Sequence, residues 1–90
     1  MSEASGEHRI VNDLGLHARA ASKLVSVANR FDADVYVGFG GHEVNAKSIL
    51  GVLMLAAGKG STISIRCEGP QATEAYGELS ALVDAGFGEV

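Results

Sequence analysis

The sequence predicts an α+β fold, an antiparallel sheet covered by helices on one side and open to solvent on the other. Three observations carry that prediction. Segments 34–39 and 61–68 alternate apolar and polar residues, so each strand has a single apolar face. Gly40-Gly41, between the first of these and residues 42–46, is a two-residue hairpin turn and makes its flanking strands antiparallel. Segments 18–30 and 71–83 repeat apolar residues at spacings of three and four, the period of an amphipathic helix. The predicted order is β-α-β-β-α-β-α, the second helix being short.

Residues 1–6 are small and polar and read as a flexible N-terminal lead-in, which leaves 7–90 as a single domain. Residues 7–13 read as an edge strand with poor alternation, and Gly15 marks a turn after it. In the first helix Ala21, Leu24, Ala28 and Phe31 form the apolar stripe, with Ala20 and Val27 beside it. Val35, Val37 and Phe39 face inward from the next strand. Ser48 is a good N-cap for a short helix over 49–54, which Gly51 weakens and Gly58 and Gly60 end. Ile63, Ile65 and Cys67 are the inward set of the last strand. Gly69-Pro70 turns the chain into a helix whose buried stripe is Ala72, Ala75, Tyr76, Leu79, Leu82 and Val83, and Gly86 and Gly88 close it.

Composition narrows the function. With 90 residues, 47% hydrophobic and 20% charged, the chain is globular in composition but too small for a deep substrate pocket, so any chemistry belongs at its surface. The longest apolar run, residues 51–58, falls far short of the ~20 residues that span a bilayer, so no membrane insertion is expected. The polar, acidic N-terminus is no secretory signal, and a single cysteine, Cys67, forms no internal disulfide; a cytoplasmic setting is expected. A net charge of −4 without a basic cluster argues against nucleic acid as a partner. His8, His17 and His42 fall in three separate elements without ligand spacing, so no metal site is expected. No nucleotide-binding loop is present, and no cofactor is expected.

His17 is placed differently from the other histidines. It lies between a Gly-Leu turn and the start of the first helix, where unpaired N–H groups and the positive dipole end attract an anion, phosphate above all. Arg19, two residues on, is a bidentate phosphate donor. A neutral imidazole in that place is a nucleophile. The run Gly15-Leu16-His17-Ala18-Arg19 therefore suits a surface phosphohistidine. On spacing alone a solvated loop histidine beside a solvated arginine is the simpler reading. Ser48 reads either as a plain helix cap or as a phosphorylation site at a helix N-terminus. Ile49, Leu50 and Leu53 follow it and cannot all face inward from so short a helix; they read either as core or as a docking patch.

Gly15-Leu16-His17-Ala18-Arg19 resembles the active-site motif of HPr, the histidine-containing phosphocarrier family of the bacterial phosphoenolpyruvate-dependent phosphotransferase system. Val44 to Gly51 resembles that family's second motif, around its regulatory serine, and Gly58-Lys59-Gly60 matches the turn before its last strand. The resemblance runs from about Glu7 to Val83. It implies an open-faced β-sandwich of four antiparallel strands with three helices on one face. It implies that His17 accepts phosphate at Nδ1 from the phosphohistidine of Enzyme I and passes it to a histidine of an enzyme IIA domain. Arg19 and the backbone N–H groups near Ala18 and Arg19 would bind the phosphoryl group. Ile49, Leu50 and Leu53 would dock partners, and Ser48 would be the target of HPr kinase/phosphorylase in bacteria that have one. Such a protein is a monomeric relay rather than a stand-alone enzyme. The family usually carries Pro directly after the arginine; here Ala20 permits the same helix and adds a donor, so a slightly less rigid helix start is expected.

Two alternatives stand beside the sugar-transport carrier. One is a regulatory or nitrogen-branch paralogue acting through Ser48 or the phosphorylation state of His17. The other is a non-enzymatic regulatory module that shares only the α+β layout, against which the His17-x-Arg19 pair counts.

Overall fold

The alternating segments pair as they must to hide their apolar faces. In the computed structural model, which describes residues 2–89, strands β1 (Ser2–Arg9), β2 (Asp34–Phe39), β3 (His42–Asn45) and β4 (Thr62–Gly69) form one antiparallel sheet in the order β1-β4-β2-β3. Helices α1 (Ala18–Ala28), α2 (Ile49–Met54) and α3 (Ala72–Asp84) cover one face, and a 3₁₀ turn (Gly86–Gly88) follows α3. This is the open-faced α+β sandwich that the sequence predicts.

Val35 and Val37 of β2 and Ile63, Ile65 and Cys67 of β4 supply the sheet side of the core. Ala20, Ala21, Leu24 and Ala28 of α1 and Ala72, Ala75, Leu79 and Val83 of α3 close it from above. Phe87, 1% exposed, is the one aromatic among the buried core residues described. Cys67 is free and fully buried on the interior strand β4, and burial pushes its thiol up from the ordinary value. Gly40 and Gly41 both have positive φ, as a tight hairpin of this hand requires, and join β2 to β3. Among the described residues no helix is long and apolar enough to cross a membrane.

The N-terminus departs from expectation. Residues 2–6, expected as a flexible lead-in, pair with β4 from Ser2↔Gly69 to Gly6↔Ile65, and the strand ends at Arg9 rather than Asp13. The physical reason is the size of the inward residues. Ala4, Gly6 and His8 point toward α3, so the face lacks the large aliphatics that announce a strand. Tyr76 fills the space instead; a Cβ on Gly6 would meet its hydroxyl at 2.1 Å. His8 then ties β1 to α3. Its Nδ1 lies 3.0 Å from Asp84 Oδ1, and its Nε2 lies 2.8 Å from the Tyr76 hydroxyl and 3.1 Å from Ser80 Oγ.

Candidate functional site at the start of α1

The loop before α1 is fixed from both sides. Gly15 has φ +63°, and a Cβ there would meet the Ala57 carbonyl oxygen at 2.5 Å, so only glycine fits. The same carbonyl accepts the Leu16 N–H at 2.9 Å and draws the chain down beside the segment that follows α2. Leu16 is buried, 4% exposed. Asn12, 2% exposed, donates from Nδ2 to the Gly15 carbonyl at 2.9 Å. With Gly15 and Leu16 held, His17 becomes the N-cap of α1.

Its ring is oriented at both nitrogens. Nδ1 accepts the Arg19 backbone N–H at 3.4 Å. Nε2 bonds to Oε2 of Glu89. A carboxylate only accepts, so Nε2 carries the proton and Nδ1 carries the lone pair. The His17 side chain is 26% exposed and that of Glu89 15%. Oε1 of Glu89 accepts from Asn12 Nδ2 at 2.9 Å. Burial pushes the Glu89 carboxyl up, but hydrogen bonds from Asn12 and His17 and the charges of His17 and Lys23 outweigh it and hold it below the ordinary value.

Together Asp13, Leu14, His17, Ala18, Arg19 and Glu89 line an open hollow at the helix end. Ala18 and Arg19 are the first two residues of α1 and both are exposed. Among the described residues no carboxylate stands within ion-pair distance of Arg19, whereas nearby Asp13 is engaged by Lys59 at 2.6 Å. The hollow thus combines a nucleophilic nitrogen, a guanidinium and the N–H groups of a helix end, a set able to hold a phosphoryl group.

The other candidates lie on α2, which packs against α1 but does not line the hollow. Ser48 caps α2; its Oγ accepts the Gly51 N–H at 3.2 Å and the residue is exposed. Val52 takes the inward position. Ile49 and Leu50 face out, at 41% and 67% exposed, and Leu53 is half-buried against the core. Met54, at 76% exposed, and Leu14, at 70%, are further exposed apolar side chains beyond those that the sequence picked out. Asn12 and Glu89 complete the site, and no local sequence pattern points to either.

A family model described as "PTS HPr component phosphorylation site" matches residues 4–85. The chain belongs to the HPr family. The phosphocarrier protein HPr of Cupriavidus necator is 50% identical over 80 residues, covering 89% of this chain and 90% of that protein. The phosphocarrier protein NPr of Shewanella violacea is 44% identical over 89 residues, covering 99% and 98%. The crystal structure of a Bacillus anthracis HPr superposes with a TM-score of 0.87 at 42% identity, covering 92% of this chain and 99% of that one. As a member of the HPr family the chain has a phosphocarrier role in the phosphotransferase system.

Proposed function

We propose that His17 is the phosphoryl acceptor, taking the group from the phosphohistidine of Enzyme I and passing it to a histidine of an enzyme IIA domain. The observation that carries this reading is the N-cap geometry: Nδ1 holds a lone pair toward the helix end, where Arg19 and an open hollow adjoin it. The Nδ1 lone pair attacks phosphorus in line, and the bond from phosphorus to the donor imidazole breaks with its electron pair left on the donor ring. Once Nδ1 is bonded to phosphorus it no longer accepts the Arg19 N–H, which turns to a phosphoryl oxygen together with the N–H of Ala18. The Arg19 guanidinium neutralises the remaining charge. Transfer onward reverses these steps on the acceptor ring.

Ile49, Leu50 and Leu53 form the docking surface for both enzymes, and their exposure supports contacts of modest area and short life. Ser48 is the regulatory site for HPr kinase/phosphorylase where the source bacterium has one; its hydroxyl caps a helix whose N-terminus favours an added phosphate. A nitrogen-branch role is the second reading, supported by the NPr relative that aligns over nearly the whole chain. Phosphoryl transfer to sugar-branch and nitrogen-branch enzyme IIA domains, offered in competition, distinguishes the two.

Incubation with phosphoenolpyruvate and Enzyme I should yield acid-labile, base-stable phosphate that disappears in His17→Ala. Absence of label with active Enzyme I, or label that survives His17→Ala, overturns the assignment. Arg19→Ala should slow transfer roughly tenfold to hundredfold while the thermal midpoint holds, because the exposed side chain packs on nothing essential.

A further inference from the structure

We propose that Lys59 is a positioning residue for phosphoryl acceptance: by pairing with Asp13 it keeps that carboxylate off Arg19 and leaves the guanidinium open to the incoming anion. This rests on the reading of His17 as the acceptor.

The pair is carried by two tight turns that face one another. The Gly15 N–H donates to the Asn12 carbonyl at 3.2 Å and sets Asp13 and Leu14 at the tip of the first turn. The Ser61 N–H donates to the Gly58 carbonyl at 3.1 Å and sets Lys59 and Gly60 at the tip of the second. Backbone bonds clamp the two turns together on both flanks. On one side the Ile10 N–H donates to the Ser61 carbonyl at 2.9 Å and the Gly60 N–H to the Ile10 carbonyl at 2.8 Å. On the other the Leu16 N–H donates to the Ala57 carbonyl at 2.9 Å. Across this clamp Lys59 Nζ donates to Asp13 Oδ1 at 2.6 Å. That hydrogen bond, with the ammonium charge behind it, holds the Asp13 carboxyl below its ordinary value.

The charges of the hollow give the pair its task. Asp13 and Glu89 line it together with Arg19, so two carboxylates face one guanidinium where an anion has to bind. Glu89 is occupied by Asn12 and His17. Asp13 is occupied by Lys59, whose own side chain lies outside the hollow. Among the described residues Arg19 is accordingly in no ion pair. Without the Lys59 ammonium, the exposed Asp13 side chain turns to the nearest free cation of the hollow, the Arg19 guanidinium. Each arriving phosphoryl group then has to displace a carboxylate before Arg19 can hold it. An exposed pair of this kind adds little to the fold, so its effect falls on the reaction.

Phosphoramidate, a small phosphoryl donor that needs no partner protein, tests this. His17 Nδ1 attacks its phosphorus, and the phosphorus–nitrogen bond breaks with its electron pair on the departing ammonia. Lys59→Met keeps the apolar stem and removes the charge. At low ionic strength it should label about threefold more slowly than the native protein, with an unchanged thermal midpoint. The two rates should converge in roughly 0.5 M salt, where exposed charges are screened. On an Asp13→Asn background, where there is no carboxylate to restrain, Lys59→Met should change the rate little; the same holds on an Arg19→Ala background. A native rate in Lys59→Met, or an equal loss on the Asp13→Asn background, overturns this proposal and leaves the acceptor reading standing. Label that survives His17→Ala overturns the acceptor reading and this proposal with it.

Discussion

At the scale of single residues, the site is a chain of three side chains, two from the loop before α1 and one from the far end of the sequence. Asn12 holds Glu89, and Glu89 holds His17. Its pH dependence follows from Glu89. The folded carboxyl titrates below its ordinary value of 4.5, so it binds fewer protons folded than unfolded in that range. The stabilisation is complete above about pH 4.5 and is lost as pH falls through the lower folded value. Glu89→Gln should flatten this part of the acid-unfolding profile, read by circular dichroism between pH 5 and 2 or so. An equal acid dependence in the variant would mean that Glu89 is not the linked group. The placement of His17 and Arg19 at a helix start was legible in the sequence because they lie two residues apart in one short run. Asn12 and Glu89 were not, because no local pattern joins residues 12, 17 and 89; only the closed fold does.

Elements make a sharper division of labour visible in α2. Its six residues split between a buried Val52, an exposed Ile49 and Leu50, and a half-buried Leu53. Val52→Ala should cost roughly 2 kcal/mol of stability, from lost burial and the cavity left behind. Leu50→Ala should leave the thermal midpoint unchanged and weaken binding to Enzyme I, measured by titration calorimetry. The opposite pattern would reverse their assignments. Outside the N-terminal strand, element type was readable, because alternation and a period of three to four are imposed by the faces that must be buried. Apart from those of β1, boundaries moved by a residue or two, as hydrogen bonding rather than hydropathy decides where an end frays. The face on which each aliphatic of α2 lands was not readable, since six residues hold too few turns for a stripe.

For the molecule as a whole, the edge strand is the main correction. Had residues 2–6 been a loose leader, removing them would matter little. They instead cover one edge of β4 with paired backbone, and β4 carries Ile63, Ile65 and Cys67 of the core. A chain starting at Glu7 should lose several backbone hydrogen bonds and melt roughly 10 °C lower or more, checked by differential scanning calorimetry. An unchanged midpoint would mean that the pairing contributes nothing. The sequence concealed this strand because its inward residues Ala4 and Gly6 are small, and at Gly6 the reason is set elsewhere, by the Tyr76 side chain lying above it.

Cys67 gives the molecule a clock of its own. The only sulfhydryl in the chain lies on an interior strand, fully buried under the helices. A thiol reagent reaches it when the sheet parts from its helices and not before, so the labelling rate counts openings of the entire core. Mass spectrometry of that single adduct would time those openings in native buffer without denaturant. Repeated with His17 phosphorylated, or with a partner docked, the same clock would report how much each event steadies the fold.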